Sequence, residues 1–161
     1  MTAQISQADS SDLGQLAELL DALFGQETEF APDRETQLTA LRSIVRYPRI
    51  GEITVARKNG RCVGMVLILY TNSTALGARV ALLEDMIVAE DCRGEGIGRQ
   101  LITTAMERAR RSGCRRVSLL TDADNKSAQR FYRSRGFSHS SMAVMRLFFA
   151  NADEYPVRHR L

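Results

Sequence analysis

The sequence predicts a mixed α/β domain built in layers, and three observations carry that expectation. Leu13, Leu16, Ala17, Leu20, Leu23 and Phe24 recur at the spacing of one helix face. Asn59-Gly60, set between two β-favouring apolar runs, is the strongest short hairpin signal a sequence carries. Residues 82–102 read as an apolar strand, a turn with three glycines and a helix, because Leu101, Ile102, Ala105, Met106 and Ala109 follow the glycines at helical period.

In chain order, Ile5 to Ala8 is a short first strand. Asp9, Ser10 and Ser11 offer oxygens to cap the helix that follows, and Gly25 ends it. Gln26 to Pro32 is a loop carrying Glu27, Glu29 and Phe30. A second helix opens after Pro32, runs through Leu38, Leu41, Ile44 and Val45, and stops before Pro48, which pushes its predecessor out of the helical region. Ile53 to Ala56 and Cys62 to Tyr70 are the hairpin strands, and Gly64 signals a bulge or a close backbone approach. Thr71 to Gly77 is a polar loop, and a strand from about Arg79 to Ala89 leads into the glycine turn. The next helix spans roughly Gly98 to Ser112, with Arg108, Arg110 and Arg111 at its negative end and Gly113 as a left-handed stop. Val117 to Leu120 is a strand parallel to the Arg79–Ala89 strand, reached through that helix. Ser127 to Ser134 is a short helix, Met142 to Phe149 a final strand, and the tail from Asn151 is loose.

A chain of 161 residues with 44% hydrophobic and 25% charged side chains is one ordinary soluble domain with room for a core. It has no apolar run of membrane-span length and no signal-peptide pattern, so no membrane partner is expected. Three unclustered cysteines, Cys62, Cys92 and Cys114, lack metal-ligand spacing and read as reduced thiols of a cytoplasmic protein with no metal. The net charge of +3 hides an asymmetry: residues 1–41 carry eight acids and one base, and residues 81–161 fourteen bases and ten acids. A basic balance raises nucleic acid as a partner. The arginines are not interleaved with aromatics, however, and helix ends and phosphate binding account for several, so no nucleic acid is expected.

The glycine turn is where chemistry enters. Backbone N–H groups left unpaired at a helix start all point one way, backed by the positive end of the helix dipole, and form a site for phosphate. Gly94, Gly96 and Gly98 let the backbone approach a ligand closely. The run lacks the third glycine of a dinucleotide fingerprint, and Arg99-Gln100 replaces the Lys-Ser/Thr that ends a P-loop. What remains is R-x-x-G-x-G, from Arg93 to Gly98. With the preceding Leu-Glu-Asp-Met-Ile-Val and the block from Asn125 to Phe137, it resembles the GNAT superfamily of acetyl-CoA-dependent N-acetyltransferases. The block matches N-x-x-A-x-x-F-Y-x-x-x-G-F at every fixed position.

That resemblance implies a mostly antiparallel central sheet with a splayed parallel strand pair, flanked by helices, in a single domain over residues 1–161. It implies acetyl-CoA as co-substrate and direct attack by a primary amine. The pyrophosphate would be held by the backbone of Arg93, Gly94, Glu95, Gly96, Ile97 and Gly98, helped by the Arg93 and Arg99 side chains. The main chain of Met86, Ile87 and Val88 would pair with the pantetheine amides like an added strand. Asn125 would hydrogen-bond the same arm, near Ala128, and Tyr132 would protonate the departing thiolate, since a phenol of pKa about 10 is protonated at neutral pH.

Glu84 and Asp85 are neighbours on one strand, so their side chains alternate and only one can face the acceptor. Similarity to the Leu-Glu-Asp form of polyamine-type acetyltransferases favours Glu84 as base, acting through a water. Either carboxylate, part-buried in an apolar strand, would have the raised pKa a base needs. The helices before the hairpin overhang the acceptor side in this family, and here that segment is the acidic one. A cationic acceptor is therefore expected: a polyamine, an amino-sugar, or a protein lysine or N-terminus. The rival readings are a non-catalytic acyl-CoA-binding module and a transferase of longer acyl groups. The apolar last strand, around Met145 to Phe149, offers an edge for a homodimer.

Overall fold

A computed structural model describes residues 2–27 and 29–149. Its sheet has five strands in sequential order: β1 (Gln4–Gln7), β2 (Gly51–Lys58), β3 (Arg61–Ser73), β4 (Ala78–Val88) and β5 (Val117–Leu119). The first four run antiparallel, and β5 lies parallel to β4. The helices are α1 (Leu13–Gln26), α2 (Arg34–Arg46), α3 (Ile97–Arg111) and α4 (Lys126–Arg133). A short 3-10 turn, Glu90–Cys92, links β4 to the glycine loop.

Each face of the sheet closes one half of the core. On one face α1 and α2 deliver Leu16, Leu20, Leu41 and Ile44 onto Ile53, Val55, Met65, Leu67 and Ile87. On the other, α3 and α4 cover Val66, Ile68, Leu83, Met86 and Val88 with Leu101, Ile102, Ala105, Phe131 and Tyr132. The hairpin turns where expected, with Asn59 at φ 53° and Gly60 at φ 78°, the pair of left-handed residues a two-residue turn demands. Val63 is the bulged residue beside Gly64, and a Cβ on Gly64 would sit 3.0 Å from both the Ile87 carbonyl oxygen and Leu101 Cδ1. Both readings of that glycine therefore hold.

Three expectations are corrected. Gly25 does not end α1; it sits exposed within the last turn, where a glycine costs only about 1 kcal/mol, and the helix runs on to Gln26. The loop expected at Thr71 is shorter, because Thr71, Asn72 and Ser73 stay paired with β4 and the turn is confined to residues 74–77. Residues 142–148 form no strand. A run of apolar residues marks a segment able to pair, but a strand exists only against a partner. This one is drawn instead to the α1–α2 loop, where Arg146 pairs with Glu29 at 3.1 Å and lies 6.0 Å over the Phe30 ring. Its apolar side chains are left in solvent, Met145 94% and Phe149 92% exposed. The loose tail expected from Asn151 lies outside the described residues.

Asp12 ties the first helix to the sheet. It is 4% exposed, accepts from the backbone N–H of Asp9 at 2.8 Å, and receives both Nε and Nη2 of Arg57 from β2. Arg57 also reaches Ser6 on β1. Removing one partner of such a pair strands the other, at a cost of a few kcal/mol. Asp12→Ala is expected to lower stability by about 3 kcal/mol in urea unfolding, with acetyl-CoA affinity retained in the folded fraction.

Candidate active site

β4 has neighbours on both sides only as far as Leu83. Its register with β5 runs Ala81↔Val117, Leu82↔Ser118 and Leu83↔Leu119, and stops there. On the other side Leu67 pairs with Asp85 and Ile68 with Leu83, so Glu84 is the extra residue of a β-bulge. The bulge resets the alternation. Leu83, Met86 and Val88 pack toward α3, whereas Ile87 packs toward α1 and α2, and Asp85 stands opposite Leu67 on that same face. From Glu84 to Val88 one edge of β4 is unpaired, which creates the splay.

The chain then turns into α3. Gly94 (φ 83°) and Gly96 (φ 80°) occupy the left-handed region, and a Cβ at either would meet nothing within 4 Å. Gly96 is the N-cap, so no side chain competes for the first helical N–H groups. Among the described residues, the N–H groups of Gly94, Glu95, Gly96, Ile97 and Gly98 donate to nothing. The loop is thus an exposed row of donors at a helix N-terminus. Ile97 is buried beneath it. Gly98 has another reason to be small: its Cβ would lie 3.5 Å from Met86, 3.6 Å from Val88 and 3.7 Å from Phe131, where β4, α3 and α4 meet.

Three charged side chains frame the loop differently. Glu95 is held by Lys58 at 2.7 Å, a pair that raises the lysine's pKa and offsets a negative charge inside an anion site. Arg93 is a strap: its Nε donates to the Val88 carbonyl at 3.1 Å, and Nη2 reaches Gln26 Oε1 at 3.5 Å. Arg99 is exposed and makes no side-chain hydrogen bond or ion pair among the described residues.

α4 opens with Asn125, whose Oδ1 accepts from the N–H of Ala128 at 3.0 Å. The cap leaves its amide NH₂ as a donor. Gln129, buried, ties the preceding loop down by donating to the carbonyls of Asp122 (3.1 Å) and Ala123 (3.0 Å). Tyr132 stands edge-on between Phe131 and Phe137, with ring centroids 5.4 and 5.8 Å away. Burial in these surroundings pushes its pKa up to about 12, and the charge of Asp85 adds to the shift. Asp85 itself is pushed up to about 7, first by burial and then by Glu84 and Glu27. Burial also raises Glu27, with Asp122, Glu29 and Glu84 adding like charge. Residues far apart in sequence thus share one electrostatic site: Glu27 ending α1, Glu84 at the bulge, Asp85 beside it, Asp122 before α4 and Tyr132 on α4.

Comparison with known proteins bears on this arrangement directly. A family profile described as "Acetyltransferase (GNAT) family" matches residues 15–137, which takes in the bulged strand, the glycine loop and α4. The chain belongs to the GNAT family. It is 27% identical over 140 residues to an uncharacterised N-acetyltransferase of Bacillus subtilis, YhfO, covering 85% of this chain and 91% of that one. It is 34% identical over 133 residues to glucosamine 6-phosphate N-acetyltransferase of Trypanosoma brucei brucei, covering 80% and 84%. An aminoglycoside N-acetyltransferase solved in complex with CoA superposes with a TM-score of 0.77 at 18% identity, over 92% of this chain and 95% of that one, a likeness of fold.

The GNAT acetyl donor is acetyl-CoA, and the free donors of residues 94–98 together with the unpaired edge of β4 fit a diphosphate followed by an amide-bearing arm. The fold brings together Glu84, Met86, Ile87, Val88, residues 93–98, Ala128 and Tyr132, with Asn125 at the cap of α4. Sequence reasoning missed the strap role of Arg93, the pairing of Lys58 with Glu95 across 37 positions, and the brace from Gln129. Only the Asn-x-x-Ala spacing of a capped helix was there to be read.

A substitution pair separates the two glycine roles. Gly96→Val forces a β-branched residue to positive φ and is expected to weaken acetyl-CoA binding by about tenfold or more in calorimetry. Gly98→Ala adds a methyl at ordinary contact distance and is expected to bind within about twofold of the parent.

Proposed function

We propose that this protein transfers the acetyl group of acetyl-CoA to a primary amine by direct attack, and that the acceptor carries positive charge beyond the reacting nitrogen: a polyamine, a cationic amino-sugar, or a lysine or N-terminal amine of a basic peptide. The observation that carries this reading is the mutual electrostatic influence of Glu27, Glu84, Asp85 and Asp122 at the splay. A mouth where carboxylates gather favours cations over a phosphate-bearing acceptor. In this respect the chain is expected to differ from its glucosamine 6-phosphate relative.

The coenzyme's diphosphate lies on the N–H groups of residues 94–98, the Arg93 N–H being already given to the Glu90 carbonyl at 3.2 Å, with Arg99 as a cation beside them, and its amide arm lies along Met86, Ile87 and Val88 beside Asn125 and Ala128. Acetyl-CoA supplies the activated carbonyl, and the chain's own groups handle the protons. Of the two β4 carboxylates we assign the base to Asp85, with Glu84, exposed at the bulge, as an attracting charge at the mouth. A carboxyl of pKa about 7 is half ionised at neutral pH, and an arriving ammonium favours its charged form, so it can take the amine's proton. Tyr132 remains a phenol and donates toward the leaving sulfur. Its high pKa does not bar the transfer, because the surroundings that disfavour a phenolate disfavour a thiolate as well. The whole chain acts as one cytoplasmic transferase domain, and the exposed strip of residues 142–149 is the surface that would serve a homodimer.

Rate and stability move oppositely with pH. The base form of Asp85 accumulates as pH rises through about 7, so kcat/KM is expected to climb over that range. Asp85→Asn should flatten the limb and lower the rate by roughly 10²-fold or more. Because the folded carboxyl holds its proton more tightly than the unfolded one, of pKa 3.8, stability falls as pH rises between those values. Asp85→Asn is therefore expected to have a higher Tm than the parent at pH 8, by scanning calorimetry, with the gap narrowing as pH falls and closing only below the unfolded pKa of 3.8. If the variant keeps the pH limb, the base lies elsewhere.

The acceptor class is tested by following thiol release across an amine panel at two salt concentrations. Polycationic acceptors are expected to show the highest kcat/KM, falling with added salt, and Glu27→Gln with Asp122→Asn to raise their KM. Preference for anionic acceptors in that panel overturns the assignment.

A further inference from the structure

A second site lies at the far end of the sheet. A groove of about 350 Å³ is lined by Arg49, ahead of β2, by Tyr70, Thr71 and Asn72 of β3, and by Arg79 of β4. Arg79 is seven positions from Met86 along the same strand, about 20 Å at the rise of a β-strand, so the groove is separate from the glycine loop. We propose that it binds a phosphate-bearing small anion.

Four observations carry this. The Arg79 guanidinium lies 3.9 Å over the centre of the Tyr70 ring, and its Nη2 donates to the Arg49 carbonyl at 2.8 Å. A side chain already stacked and tethered has surrendered much of the rotamer freedom that ligand binding would otherwise cost. Neither Arg79 nor Arg49 forms an ion pair among the described residues, and the exposed Arg49 side chain makes no hydrogen bond there. Two arginines around one floor match the oxygens of a phosphate, with the amide of Asn72, the cross-strand neighbour of Arg79, as a further donor.

The surroundings keep the same sign. The Arg115 backbone N–H is bonded to the Arg79 carbonyl at 2.9 Å, its guanidinium reaches the Leu76 carbonyl at 3.3 Å, and Arg116 follows it in solvent. Glu52 is the acid within electrostatic reach of Tyr70, on the neighbouring strand. The two lining arginines outnumber that acid and leave the groove cationic. Its volume lies at the lower end of small-molecule sites, larger than one phosphate needs and suited to pyrophosphate or a phosphorylated metabolite. The site owes nothing to the acetyl-transfer reading, which rests on the opposite end of β4.

The test titrates sodium pyrophosphate, inorganic phosphate and a sugar phosphate into the protein by calorimetry at constant ionic strength. Gly96→Val serves as the background, to silence the glycine loop. Arg49→Gln and Arg79→Gln are each expected to weaken the remaining pyrophosphate site by roughly fivefold or more, the loss of one charge-assisted contact. Arg79→Lys should fall between, keeping the charge but not the fork. Should Arg79→Gln lower Tm through loss of the stack, Arg49→Gln decides, since that exposed side chain makes no hydrogen bond or ion pair among the described residues. In the otherwise unchanged protein Arg49→Gln should leave acetyl-CoA affinity and acetyl transfer as they were. Unchanged pyrophosphate affinity in Arg49→Gln overturns the proposal, as does equal competition by chloride. A short RNA that binds with a steep salt slope while pyrophosphate does not would mark a nucleic-acid surface and sink it too.

Discussion

One irregularity in one strand organises the molecule. At Glu84 the ladder between β3 and β4 skips a residue, and at the neighbouring Leu83 the ladder between β4 and β5 ends. A regular strand would have been paired on both edges and would have alternated its side chains without interruption. The bulge instead frees an edge from Glu84 to Val88 and sends Asp85 to the α1–α2 face while Met86 and Val88 keep the α3 face. An open edge is a liability in most sheets. Here it ends at a helix whose first N–H groups are also open, so two kinds of unsatisfied backbone lie in sequence along one path.

The electrostatics follow from that geometry. Asp85 sits where burial penalises its charge, and Glu84 and Glu27 add like charge, so its proton is held to about pH 7. Asp85 in turn disfavours ionisation of Tyr132 across the gap. A shared environment thus raises the pKa of both titratable groups. A compensation operates at the loop, where Lys58 neutralises Glu95 while the backbone donors stay free.

The same sheet presents opposite charges at its two ends. Carboxylates gather around the splay, and arginines gather where β3 and β4 meet the turn between them. The modest net charge of +3 conceals this dipole, since bulk composition averages the two regions.

Local chemistry was legible in the residues themselves. Helical period placed α1 to α3 within a few positions, Asn59-Gly60 closed its hairpin, and the glycine run formed the strand–loop–helix its spacing implies, because each rests on contacts within a few residues. The tertiary structure alone decided what depends on partners distant in sequence. It put the bulge at Glu84 rather than letting simple alternation choose between two carboxylates, and it brought Glu27 and Asp122 to their company. It also turned Arg93 into a strap and left Met142 to Phe149 without a ladder. A strand's pairing, a carboxyl's pKa and an arginine's partner are all set by what the rest of the fold places beside them, and no local pattern encodes that.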